Sequence, residues 1–133
     1  MRQYFLLYFI EIDKDMVMKE IAELLKILGD ESRLRVLLML KIRPLCVCEI
    51  HEVLDIALST ISQHLKLMKS SGYITDHKEG RWVIYSLNEK NDFVKRMVGF
   101  LEKELLDDER FIRDRDIISS ITREICSTRL SRK

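Results

Sequence analysis

Cys46 and Cys48 stand one residue apart in the segment Leu45-Cys46-Val47-Cys48-Glu49-Ile50, and the third cysteine of the chain, Cys126, lies eighty residues further on. Thiolates are soft ligands, suited to arsenic(III), cadmium, lead, zinc or copper(I). An odd cysteine count without framework spacing argues against structural disulfides and for reduced thiols in the cytoplasm, available for metal or redox chemistry. Within a regular helix, residues i and i+2 point about 200° apart, so an undisturbed helix would not let Cys46 and Cys48 grip one ion. On that reading, binding must unwind or hold open the first turn of the helix, whose N-terminus also favours the thiolate. His51 and Cys126 are the candidates for a further ligand. The alternative for the thiols is a role as small buried hydrophobes.

A second chemistry-bearing stretch begins at Ser59. Ile61, Leu65 and Met68 recur at helical spacing, while Ser59, Gln63, Lys66 and Ser70 fall on the opposite face with Thr60 and Ser62 on its flanks. That face carries hydroxyl, amide and ammonium groups and no carboxylate, which is the chemistry that phosphates and base edges require. His64 lies at the edge of the apolar stripe and reads as a packing residue.

The elements that must position these groups are mostly helical. The chain has 133 residues, 47% hydrophobic and 34% charged, which excludes a disordered chain and suits one domain over 1–133. Four glycines and one proline are too few for a turn-rich sandwich or barrel. A formal net charge of +1 excludes a simple polycation but not a DNA binder, whose contacting surface decides. Helices are expected over 13–29, from Asp30 (as N-cap) to Ile42, from Pro44 to Leu54, and from Ser59 towards Gly72. Leu34, Leu37, Leu38 and Ile42 should face inward on the second, and Val47, Ile50 and Leu54 on the third.

The period then changes. Residues 73–78 and 81–87 are rich in β-branched and aromatic side chains, and Glu79-Gly80 joins them as a hairpin with Lys78 and Arg81 at its tip. His77, ahead of that tip, reads as surface. Helix, helix and a hairpin with a basic tip make a winged helix-turn-helix: mainly α, with a small β-hairpin. Helical stripes resume at Val94, Met97, Val98, Leu101 and Leu105, and at Ile118, Ile121 and Ile125. The expected dimer interface combines the first helix with residues 93–105. More broadly, an N-terminal helical extension at 1–12 and the helices over 88–133 are the expected dimerisation elements. The apolar run at 4–10 is far shorter than a membrane span, and no membrane partner is expected.

Several of these segments resemble the ArsR/SmtB family of winged-helix repressors. Asp30-Glu31-Ser32-Arg33-Leu34-Arg35-Val36-Leu37 resembles that family's Asp-Pro-Thr-Arg-Leu-Arg-Ile-Leu opening, and Leu45 to Ile50 resembles its Leu-Cys-Val-Cys-Asp-Leu metal box. Residues 59–67 resemble its recognition helix and 79–85 its wing, so the likeness runs over roughly residues 20–90 in family order. The resemblance implies a homodimer that binds double-stranded operator DNA and releases it when arsenite, antimonite, cadmium, lead or zinc binds. It implies DNA contacts from Ser59, Thr60, Ser62, Gln63, Lys66, Lys78 and Arg81, and no cofactor for DNA binding itself. His51 replaces a cysteine often present in the arsenic-type box, residues 1–45 carry none of the cysteines of cadmium-type members, and Ala57-Leu58 replaces the usual Ser-Gln lead-in.

Two other functions fit fewer residues. One keeps DNA binding and makes the cysteines redox-sensing or structural. The other is a thiol oxidoreductase or metal carrier, against which stand the missing C-x-x-C, the absent thioredoxin-like strand pattern and the basic wing. The sequence shows no catalytic Ser-His-Asp set, phosphate loop or paired carboxylates, so no enzyme is expected.

Overall fold

The computed structural model describes residues 17–131; the expected extension at 1–12 and the run at 4–10 lie outside them. Helix α1 (Val17–Leu28) ends at Gly29, and the Asp30 carboxylate then accepts the Arg33 N–H at 3.1 Å to cap helix α2 (Glu31–Ile42). Helix α2 is the centre of the molecule. Its residues Val36, Leu37, Leu38, Met39 and Leu40 are buried in succession, because α1 and four later elements all pack against it. A helix surrounded in this way has no single inward stripe. Leu37 and Leu38 therefore meet the sequence expectation, whereas Leu34 is only half-buried and Ile42 is exposed.

Pro44 stops α2 but does not open the next helix, contrary to the sequence reading. Leu45–Cys46 forms a two-residue strand, β1, and helix α3 (Val47–Leu54) starts only after it. The reason lies some forty residues away. Strand β3 (Trp82–Leu87) offers a free edge, and β1 pairs with it antiparallel in the register Leu45↔Tyr85 and Cys46↔Ile84. On the other edge of β3 lies β2 (Ile74–Glu79), giving the strand order β1-β3-β2. Glu79 pairs with Trp82, so the two-residue turn is Gly80-Arg81 rather than Glu79-Gly80. Gly80 supplies its φ of +61°, the positive value that primed hairpin turns need at this position.

Helix α3 ends at Asp55, a left-handed residue (φ 51°) whose N–H returns to His51 O at 2.9 Å. A short connection leads to α4 (Leu58–Ser70), which packs on α3 and buries Ile61, Leu65 and Met68 as the sequence period requires. Together with the β2–β3 wing, α3 and α4 form a winged helix-turn-helix.

Asn91 caps α5 (Asp92–Glu104) and Asp108 caps α6 (Glu109–Ser120), each through a carbonyl or carboxylate oxygen. Val94 and Val98 of α5 join the chain's own core, and Met97 and Leu101 pack at its edge. The large apolar side chains left exposed on α1, on α5 and just after it are Met18, Leu25, Phe100 and Leu106. At Ile121 the backbone turns extended before α7 (Arg123–Ser131). That break shifts the helical phase: Cys126 faces inward and Ile125, expected to, is exposed. Among the described residues no helix is long and apolar enough to cross a membrane.

A bidentate ion pair ties α6 to the central helix. Arg35 Nε and Nη2 donate to Asp114 Oδ2 and Oδ1 at 2.8 and 2.9 Å, and Asp114 is buried. Removing one partner leaves the other charge without compensation in the interior. Arg35→Met is therefore expected to destabilise the fold by about 3 kcal/mol, with much of the loss recovered in Arg35→Met, Asp114→Leu. Urea unfolding checks this, and a single-variant loss below about 1 kcal/mol would mean the pair ties nothing together.

Candidate thiol site and nucleic-acid interface

Because Cys46 is the last strand residue and the N-cap of α3, its backbone is extended (φ −92°, ψ 169°) and not helical. The 200° separation expected for i and i+2 therefore does not apply. The two sulfurs face each other, with Cys46 Sγ 2.8 Å from Cys48 Sγ. The chain folds into this state with the thiols already converged, and the expected need to unwind α3 falls away.

Cys126 of α7 belongs to the same small apolar cluster as Cys46 and Cys48, together with Ile84 and Ile121. His51 lies one helical turn beyond Cys48, half-buried and outside that cluster. All three cysteines are free thiols. Burial pushes the Cys46 thiol well above its usual range, and its hydrogen bond with Cys48 pushes the same way. Burial likewise pushes the Cys126 thiol up to about 12, with the Glu52 carboxylate adding to it. Desolvation thus outweighs the helix N-terminus that was expected to favour a thiolate at Cys46.

As a two-sulfur donor the pair fits a thiophilic ion, both atoms being soft and aimed at one another. As a closed cage it does not: among the described residues no three His, Cys, Asp or Glu side chains form a group that could hold a metal ion.

Glu49 is a residue that the sequence reading passed over. It is 2% exposed, its Oε1 accepts the Cys46 N–H at 3.0 Å, and its Oε2 accepts from Arg43 Nη1 at 2.7 Å. Arg43 Nη2 also donates to Ile118 O and Ile121 O at 3.1 and 3.0 Å, closing the end of α6. The spacing Cys46-x-x-Glu49 carries the signal, since a Glu at the third helical position commonly reaches back to the N-cap N–H.

On α4, Ser59, Ser62, Gln63 and Lys66 are exposed and Thr60 is half-buried, all away from the Ile61-Leu65-Met68 stripe. No side-chain N-cap bond starts this helix; Ala57 occupies the N-cap, and the Thr60 and Ile61 N–H groups return to its carbonyl. His64 packs as expected, half-buried with Nδ1 3.1 Å from Arg33 Nη1. Lys78 and Arg81 are exposed beside the wing turn, and so is His77, 3.5 Å from Glu79. Glu79 would oppose DNA there, but Arg123 binds it and holds its carboxyl below the usual range. The wing thus presents Lys78 and Arg81 with its two acidic side chains paired, Asp76 with Lys69 and Glu79 with Arg123.

The sequence profile described as "Bacterial regulatory protein, arsR family" matches residues 30–76, which run from the cap of α2 through the thiol pair and α4 into β2. An "Uncharacterized HTH-type transcriptional regulator MJ1325" of Methanocaldococcus jannaschii is 35% identical over 83 residues, spanning 62% of this chain and 91% of that protein. The chain belongs to the arsR family. Within it, the "Arsenical resistance operon repressor" of Escherichia coli K12 is 45% identical over 67 residues, half of this chain and 57% of that repressor. The match therefore spans little more than half the length of that curated relative. Among solved structures of the fold, HlyU from Vibrio cholerae N16961 is 30% identical, with a TM-score of 0.63 over 72% of this chain and all of that one.

The buried thiols generate a prediction. With its thiol near 12 against an ordinary 9.0, Cys126 at pH 8 has a thiolate fraction about three orders of magnitude below that of an exposed cysteine. Peptide mass spectrometry should show Cys126 alkylated by iodoacetamide far more slowly in the native chain than in denaturant. Equal rates would place this thiol in solvent.

Proposed function

We propose that this chain is a cytoplasmic DNA-binding transcriptional repressor, acting as a homodimer, that leaves its operator when a thiophilic metal or metalloid binds Cys46 and Cys48. One observation carries the reading: two sulfurs 2.8 Å apart stand at the foot of α3, the helix that packs on α4. In this reading Ser59, Thr60, Ser62, Gln63 and Lys66 of α4 meet the major groove, and Lys78 and Arg81 meet the backbone beside it. Cys126 is the third ligand we favour over His51, because it shares the apolar cluster of the pair. The name of the arsenical repressor among its relatives favours arsenite or antimonite, while cadmium, lead and zinc share the thiolate chemistry. Met18 and Leu25 of α1, with Phe100 and Leu106, are the apolar groups that a second copy would cover; Val98 is not, being core.

Binding must displace thiol protons that burial holds in place, so the apparent ion affinity rises with pH. The closeness of the two sulfurs also supports a second reading within the family, in which the pair is oxidised rather than metallated.

Both halves of the proposal can be tested separately. Gln63→Ala is expected to lose about 1–3 kcal/mol of sequence discrimination, and Lys66→Ala to weaken binding to all sequences and reduce the salt slope by about one. Fluorescence anisotropy on the chain's own upstream DNA, over a salt series, reads both; unchanged binding in the double variant removes α4 from the interface. For the switch, Cys46→Ser and Cys48→Ser should bind DNA near normally while arsenite-driven release falls from the usual 5–150-fold range to about one. Full release from the double variant contradicts the thiol site. Release by peroxide but not by arsenite or cadmium supports the oxidative reading instead.

A further inference from the structure

We infer that Ser127 of α7 relays the state of the thiol pair to the wing, an inference that rests on the proposed ion site at Cys46 and Cys48. Ser127 Oγ lies 3.4 Å from Cys48 Sγ and accepts the Trp82 indole N–H at 2.9 Å. One hydroxyl thus touches the candidate ligand on α3 and the first residue of β3. Trp82 in turn stacks against Arg81, whose guanidinium carbon is 4.5 Å from the ring centroid, and Arg81 is one of the two wing cations proposed to meet DNA.

Other residues of α7 bracket the same path. The Arg123 carbonyl lies 3.7 Å from Cys48 Sγ, while its guanidinium binds Glu79 across from Trp82 and sits 5.0 Å from the indole centroid. Further along, Arg129 Nη1 donates to Glu52 Oε1 at 2.9 Å and fixes the helix to α3. So α7 is a strap laid from the thiol-bearing helix to the wing, and Ser127 is its one side chain hydrogen-bonded to both a cysteine sulfur and the indole.

The chemistry of the hydroxyl makes the contact directional. Ser127 has one proton and two lone pairs, the indole N–H can only donate, and a thiol is a weak donor and a weak acceptor. When Cys48 ligates an ion, its S–H proton passes to solvent, and the bound thiolate, which keeps lone pairs, can only accept hydrogen bonds. The Arg123 carbonyl then loses its thiol donor, and the contact between Cys48 Sγ and Ser127 Oγ is held with the Ser127 hydroxyl as donor, its proton turned toward the sulfur. The lone pairs that Ser127 Oγ offers Trp82 turn with the hydroxyl, which changes the geometry of the indole N–H bond and of the Arg81 stack on the ring. Ser127 is here a positioning residue. It holds no ion and no DNA.

Trp82 is the sole tryptophan of the chain, so its indole N–H gives a single resonance in a proton–nitrogen correlation spectrum. The test titrates the full chain with cadmium chloride and follows thiolate-to-cadmium absorption alongside that resonance. In the wild type, the indole peak should move with the same midpoint as the absorption. In Ser127→Ala the peak should start displaced and stay in place while the absorption still develops, and Ser127→Thr, which keeps the hydroxyl, should restore the movement. An indole peak that stays put in the saturated wild type overturns the relay, and so does equal movement in Ser127→Ala; both leave the thiol site standing. Absence of thiolate absorption in the wild type overturns the ion site itself, and the relay with it.

Discussion

The antiparallel pairing of Leu45 and Cys46 with Tyr85 and Ile84 holds the backbone extended at the point where a helix would otherwise begin. The rest of the site depends on that pairing. It makes Cys46 the N-cap of α3 and brings its sulfur back over the first turn to meet Cys48. It also joins the thiol-bearing segment to the wing strand directly, so the two candidate functional surfaces share a sheet.

Charge reinforces the same junction. A buried carboxylate is costly unless it is paired and hydrogen-bonded, and Glu49 is both, through Arg43 and the Cys46 N–H. Arg43 extends that pairing to the carbonyls that end α6, so the N-cap of α3 and the turn before α7 are fixed by one network. Around this network the sulfurs sit in an apolar cluster, and burial there pushes the Cys46 and Cys126 thiols up. A buried, protonated thiol is alkylated slowly, whereas a ligand that bonds strongly to sulfur can displace its proton.

Much of this was legible from the sequence, for physical reasons that differ from element to element. The helical period of Ile61, Leu65 and Met68 fixed which face of α4 is exposed, since a two-sided helix leaves no other choice. Asp30 as a cap and the wing hairpin followed from local chemistry, and only the turn position moved by one residue. What escaped was non-local. Strand β1 exists because β3 has a free edge, and nothing in Leu45-Cys46 itself announces it. Helix α2 is buried all round because five elements converge on it, so no stripe in its own sequence could assign its faces correctly. The phase break at Ile121 turned Cys126 inward and brought a third thiol to the pair; a single continuous stripe through Ile125 would have kept it away.

The central claim is that the converged sulfurs are a binding site and not merely small core residues. X-ray absorption at the arsenic edge, on the chain loaded with arsenite, tests it most directly because it identifies the atoms bonded to arsenic. The account predicts a first shell of sulfur only, with sulfur lost and oxygen gained in each of Cys46→Ser and Cys48→Ser. A shell of oxygen only in the wild type, or a sulfur shell that survives both substitutions unchanged, would contradict it.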